Sequence, residues 1–164
     1  MIFKIKKHNT DFYNTLLNLS RNLYFYNKIL LKDTFETRIY LIFIHFSIML
    51  IFSNNRKIKF PQNKYDDLFY CIENNLRELG FGDVGVNKKM KIFNKILYDI
   101  LLKINEAEKD LIINKKLICK YFPDFNNSKN DKYKLFEQYF LDFYHFCFGL
   151  PQETMIKDAF KFKV

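Results

Sequence analysis

Gly80-Phe81-Gly82-Asp83-Val84-Gly85 spells GxGxxG, the pattern by which a glycine-rich loop lets backbone approach a dinucleotide pyrophosphate. That chemistry needs the loop to leave a strand and open a helix within a βαβ unit. Here it follows Tyr65, Leu68, Phe69, Ile72, Leu76 and Leu79, apolar residues at steps of three and four that predict an amphipathic helix. The glycines therefore read as a helix cap and a tight turn between two packed helices, with Gly80 at the capping position. Three of the four glycines of the chain crowd into this turn. Such crowding predicts a demanding geometry and a corner that presents Asp83 and nearby backbone to a partner.

Other reactive side chains form no recognisable set. His8, His45 and His145 lack the ligand spacing of a metal helix such as HExxH, so neither a metal nor a cofactor is expected. Cys71, Cys119 and Cys147 are odd in number and far apart, which points to free thiols in a reducing compartment. Ser20, Ser47, Ser53 and Ser128 sit in no nucleophile elbow, and the adjacent Asp66 and Asp67 point to different sides of a helix. An enzyme would have to assemble its site from dispersed residues, such as His45 with Asp33 or Arg38. The expectation is a protein without catalytic residues or a small-molecule substrate. The better constellation is basic. Lys88, Lys91 and Lys95 fall on one helix face with Lys89 beside them, opposite Met90, Phe93 and Leu97. They read either as a solvated face or as an anionic docking stripe. No aromatic residue is expected to interleave with them, which disfavours stacking on single-stranded RNA.

The elements that must carry these residues read as helices. A chain of 164 residues fits one domain, 1–164. An apolar fraction of 49% with 20 Phe and 11 Tyr excludes a disordered chain, and four Gly with three Pro exclude a turn-rich β-sandwich. The net charge of +9 favours ribosomal RNA, anionic lipid or an acidic protein face as partner. No apolar stretch with a cleavage site follows Met1, so no secretory signal is expected. A first helical region covers Asp11 to Leu31, with Phe12, Leu16, Leu19, Leu23 and Tyr26 on one face. Asp33 and Glu36, three apart, read as a capping box opening the next helix. That helix contains Ile39 to Phe52, fourteen residues without a formal charge and holding His45 and Ser47. At roughly 1.5 Å per residue the run spans about 21 Å, short of the ~30 Å hydrocarbon core, so it reads as the buried centre of a bundle. Further helices are expected from Met90 to Ile104, over Glu106–Tyr121 and over Lys132–Phe148. Pro123 and the stretch 126–130 separate the last two, and a short amphipathic tail runs from Gln152 to Phe160. The fold class is all-α, a single compact bundle of about six to seven helices.

Asp33-Thr-Phe-Glu-Thr-Arg38, the apolar helix with His45, and Leu76-Arg-Glu-Leu-Gly-Phe-Gly-Asp83 followed by Lys88-Lys-Met-Lys91 together resemble the ubiquinol–cytochrome c chaperone family, in its compact bacterial form. Tyr24-Phe25-Tyr26 also stands in its place, and the resemblance covers about residues 20–105. It implies an assembly factor for respiratory complex III that holds newly made cytochrome b. A small co-chaperone, the ribosome and an anionic membrane surface are further implied partners. The implied location is peripheral, on the cytoplasmic side of a bacterial inner membrane, or the matrix side in a mitochondrion. Under that resemblance, Arg38, Arg77, Glu78, Asp83, Lys88, Lys89 and Lys91 are the partner-binding candidates. Asp33, Glu36, Gly80, Gly82 and Gly85 are assigned to caps and the turn. The competing expectation is a basic RNA- or ribosome-binding helical module with no cytochrome b client.

Overall fold

The computed structural model describes residues 10–108, 110–126 and 131–164. At its centre lies α2 (Phe35–Asn55), the helix that carries the uncharged run. It is long and apolar enough to cross a membrane, yet every residue from Leu41 to Met49 is buried by neighbouring elements. A helix apolar on all sides is stable in water only when surrounded in this way. Around it pack α1 (Asp11–Ser20), α4 (Asp83–Lys103) and α6 (Asp131–Gly149), while α3 (Gln62–Glu78) bridges α1 and α4. Among the described residues there are seven α-helices and one two-stranded sheet, so the all-α expectation holds.

Three local expectations need correction. The N-cap of α2 is Thr34, whose hydroxyl accepts from the Thr37 backbone N–H at 3.2 Å. Asp33 and Glu36 do not form the capping box; Glu36 sits in the first helical turn, where a negative charge meets the helix dipole favourably. Secondly, the first helical region is broken after Ser20. The Asn22 side chain accepts from the Tyr24 N–H at 3.0 Å, competing with the helix as asparagine does. The chain then makes a π-helical turn, Tyr24–Lys28, with the Tyr26 hydroxyl donating to the Ser20 carbonyl at 2.7 Å. Phe25 is driven into the core and Leu23 is left 67% exposed, not on the buried face.

Thirdly, Glu106–Tyr121 is not one helix. β1 (Ile104–Ala107) and β2 (Asp110–Ile113) pair antiparallel, with Ile104 opposite Ile113 and Glu106 opposite Leu111. Leu111 and Ile113 face the core while Asp110 and Ile112 face out, the period-two burial of a strand. Glu108 turns the chain at φ +52°. Asn114 then caps α5 (Lys115–Tyr121), accepting from Lys116 N–H at 2.9 Å and Leu117 N–H at 3.3 Å. After the 3-10 turn Pro123–Asn126 comes α6, and residues 127–130 of the expected separating stretch lie outside the described residues. The tail forms α7 (Met155–Asp158) and a 3-10 turn, Ala159–Lys161. It lies on the bundle: Met155 and Ala159 are buried, and the Phe162 ring packs 5.3 Å from Tyr139 and 5.5 Å from Phe143.

Candidate functional site

The two sequence blocks that carry the resemblance, one opening at Asp33 and the other at Leu76, meet at one end of the bundle. The start of α2 faces the ends of α1 and α3 across a cleft of about 290 Å³. Leu17 and Arg21 of the α1 side, Phe35, Arg38 and Ile39 of α2, and Asn75, Glu78 and Leu79 of α3 line it. An adjoining hollow of about 480 Å³ shares Arg21 and Arg38 and adds Leu23, Tyr26, Asn27 and Asp33. Apolar walls with a few convergent polar groups suit a binding site for a protein segment.

Arg38 donates through Nε to Asp33 Oδ1 at 2.7 Å, and that bond holds the Asp33 carboxyl below its ordinary range. Burial, with the Asp33 charge adding to it, pushes the Tyr26 phenol up to about 12, so it remains a neutral donor. Arg21 makes no ion pair among the described residues. Of the expected partner-binding residues, Arg38 and Glu78 line the cleft. Arg21, Leu23 and Leu79 belong to it equally, and no motif marks them. Leu79, the last member of the expected buried stripe, is exposed on the rim.

The glycine turn forms the shoulder of the same end. Arg77 donates to Glu73 at 2.9 Å and to Asp83 across the turn, tying the end of α3 to the start of α4. Lys89 reaches Glu36 at 3.3 Å and lies 5.7 Å from the Phe81 ring centre, so it joins α4 to α2 within the molecule. Lys88 and Lys91 lie outside the cleft, exposed on the outer side of α4. The demanding geometry resides in Gly80, at φ +96°, while Gly82 has ordinary extended backbone and open space where a Cβ would stand. At Gly85 a Cβ would come 3.2 Å from the Phe81 ring. Gly80→Ala is therefore expected to destabilise by about 1–2 kcal/mol. Gly82→Ser, which supplies a capping hydroxyl, is expected to be neutral or slightly stabilising. Thermal denaturation of the two variants, side by side, checks the ordering.

The dispersed set of His45, Asp33 and Arg38 does not form. His45 is fully buried on α2, with Nδ1 2.7 Å from the Leu41 carbonyl and Nε2 3.0 Å from the Tyr139 hydroxyl. A carbonyl only accepts, so Nδ1 carries the proton and Nε2 accepts from Tyr139. Burial lowers the imidazole pKa to about 3. His145 stands at the surface 3.3 Å from Asp110, and His8 lies outside the described residues. Cys71 and Cys147 are buried and unpaired, and burial pushes the Cys147 thiol up to about 12. Among the described residues no three His, Cys, Asp or Glu side chains gather to hold a metal.

No curated protein and no solved structure matches the chain. The family described as ubiquinol-cytochrome C chaperone does match, over residues 27–117. The match starts just after the Tyr24-Phe25-Tyr26 stretch and continues past the expected limit through the hairpin into α5. Both walls of the cleft from α2 and α3, the glycine turn and all of α4 fall within it. Since the match covers more than half the chain, this protein belongs to the ubiquinol–cytochrome c chaperone family.

Proposed function

We propose that the chain is an assembly chaperone for ubiquinol–cytochrome c reductase, respiratory complex III, that holds newly made cytochrome b at the membrane surface by binding and not by catalysis. Family membership carries this reading. The cleft at the α1–α2–α3 end supports it physically, because Leu17, Leu79 and Phe35 offer apolar cover to a client segment while Arg21 and Arg38 fix polar groups. The location is peripheral, on the cytoplasmic side of a bacterial inner membrane or the matrix side of a mitochondrial one. A small co-chaperone and the ribosome are further partners under the same reading.

A strain lacking the gene is expected to lose assembled complex III and stable cytochrome b, and the wild-type gene restores both. Leu23→Asp combined with Leu79→Asp alters exposed rim positions only, so the fold persists and restoration fails. Normal complex III in the deletion strain sinks the proposal. The competing basic RNA- or ribosome-binding module would instead bind RNA with steep salt dependence and leave cytochrome b levels untouched.

A further inference from the structure

We infer that the outer face of α4 is a docking surface for a bilayer containing anionic phospholipid, held by lysine charge and by aliphatic side chains that enter the headgroup layer. The inference rests on the assembly reading only for the membrane at which such a surface is met. On α4 the sequence Val84, Lys88, Lys91, Lys95, Tyr98, Leu102 advances in steps of four and three, so these residues form one line along the helix, with Ile92 beside it. From Val84 to Leu102 the line runs about 27 Å at 1.5 Å per residue. The opposite side of α4 carries the buried Val86, Phe93, Ile96, Leu97 and Ile100.

Apolar exposure on the line is high: Leu102 76%, Val84 71%, Tyr98 59% and Ile92 51%. Twelve large hydrophobic residues are exposed among the described residues, and four of them stand on this single face. That concentration separates it from the scattered exposure ordinary to soluble surfaces. Lys88, Lys91 and Lys95 have no carboxylate partner among the described residues. Asp99, on the flank, is already held by Lys103 and by Lys120 at 2.9 Å, so it does not cancel their charge. An in-plane amphipathic surface has this make-up. Lysine stems extend along the apolar strip with their ammonium groups among phosphates, and a tyrosine sits at headgroup level.

Nucleic acid fits the face less well. Tyr98 stands on the same face one turn beyond Lys95, past the last of the three lysines and not among them. One tyrosine supplies a single stacking platform, and Val84, Ile92 and Leu102 offer nothing to bases or phosphates. Those three side chains gain where an acyl boundary receives them.

The test is co-sedimentation of the full chain with vesicles of phosphatidylcholine alone, or of phosphatidylcholine doped with phosphatidylglycerol, and with an RNA homopolymer. Binding is expected to the doped vesicles, weakening as salt rises. Lys88→Glu with Lys91→Glu and Lys95→Glu lowers the partition coefficient by more than about 100-fold, from roughly fivefold per charge. Ile92→Ser with Leu102→Ser lowers it about tenfold and removes the part that survives high salt. All five positions are exposed, and circular-dichroism melting confirms that both variants fold. Equal binding to both vesicle types, or undiminished binding of the lysine variant, overturns the inference. RNA binding that the lysine variant loses and the Ile92→Ser/Leu102→Ser variant keeps, with no vesicle binding, overturns it in favour of nucleic acid. Because no client is present, a negative vesicle result leaves the assembly reading standing. Loss of that reading in the deletion strain likewise leaves the vesicle result intact.

Discussion

Phe25→Ala is expected to lower the unfolding free energy by about 3–5 kcal/mol, which for a domain of this size displaces the melting temperature by roughly 6–20 °C. Phe25 is fully buried, with its ring 4.4 Å from Tyr139, 5.8 Å from Phe140, 6.2 Å from Phe136 and 6.0 Å from His45. It is the buried residue of the π-helical turn and anchors that turn against α6. Removing the ring leaves a cavity among aromatic groups that cannot collapse into it. The same turn carries Tyr26 and Asn27 and adjoins Leu23 on the rim of the candidate cleft. Restoration of complex III is thus expected to fall with stability. Phe25→Leu, which keeps most of the volume, is expected to cost less than half as much. A denaturant midpoint for Phe25→Ala equal to that of the wild type would show that the turn is anchored elsewhere.

Stability is expected to fall as pH drops below about 6.5, with a slope from His45 of up to about 1.4 kcal/mol per pH unit. The group has its ordinary value of 6.5 when unfolded and about 3 when folded, because burial disfavours the charged ring. Between those values the unfolded chain binds a proton that the folded chain refuses. The contribution is therefore complete above about pH 6.5 and is lost as pH falls toward about 3. Urea denaturation between about pH 7 and 5, above the main carboxylate range, isolates the effect. His45→Gln removes the titrating group, and its stability is expected to vary less with pH by that slope, whatever its absolute value. An identical pH dependence in wild type and variant would show that the buried ring does not set this limb.

Much of this arrangement was legible in the residues because it follows from periodicity. The uncharged run around His45 admits only a buried or a membrane setting, and its length together with His45 and Ser47 favoured burial. The apolar steps from Tyr65 to Leu76 and the opposed faces of α4 identify two helices and their inner sides. Pattern and structure part where short-range chemistry competes. Asp33 with Glu36 three residues on matches the capping-box pattern, whereas Thr34 is followed at that spacing by Thr37, so pattern alone favours Asp33. Asp33 is drawn away by the Arg38 guanidinium, leaving the cap to Thr34. The hairpin was hidden because its strands are four residues each, too short to separate a period of two from a period of 3.6. Its signals were the adjacent Ile112 and Ile113 and the capping residue Asn114 directly after them.

A basic, helical, aromatic-rich chain, the class of each long helix and the two blocks of residues that carry the family are written in the residues. These properties depend on residues within a few turns of one another, where spacing and side-chain type are enough. That the two blocks share one end, and that Arg21, Leu23 and Leu79 complete the cleft, follows from the packing of the helices alone. It alone turned Lys89 inward to Glu36 while leaving Lys88, Lys91 and Lys95 facing out with Ile92, Tyr98 and Leu102. A residue's side of a helix follows from its number, but what stands opposite depends on how separate helices bury their apolar faces together. That choice belongs to the packed core and not to any local stretch of chain.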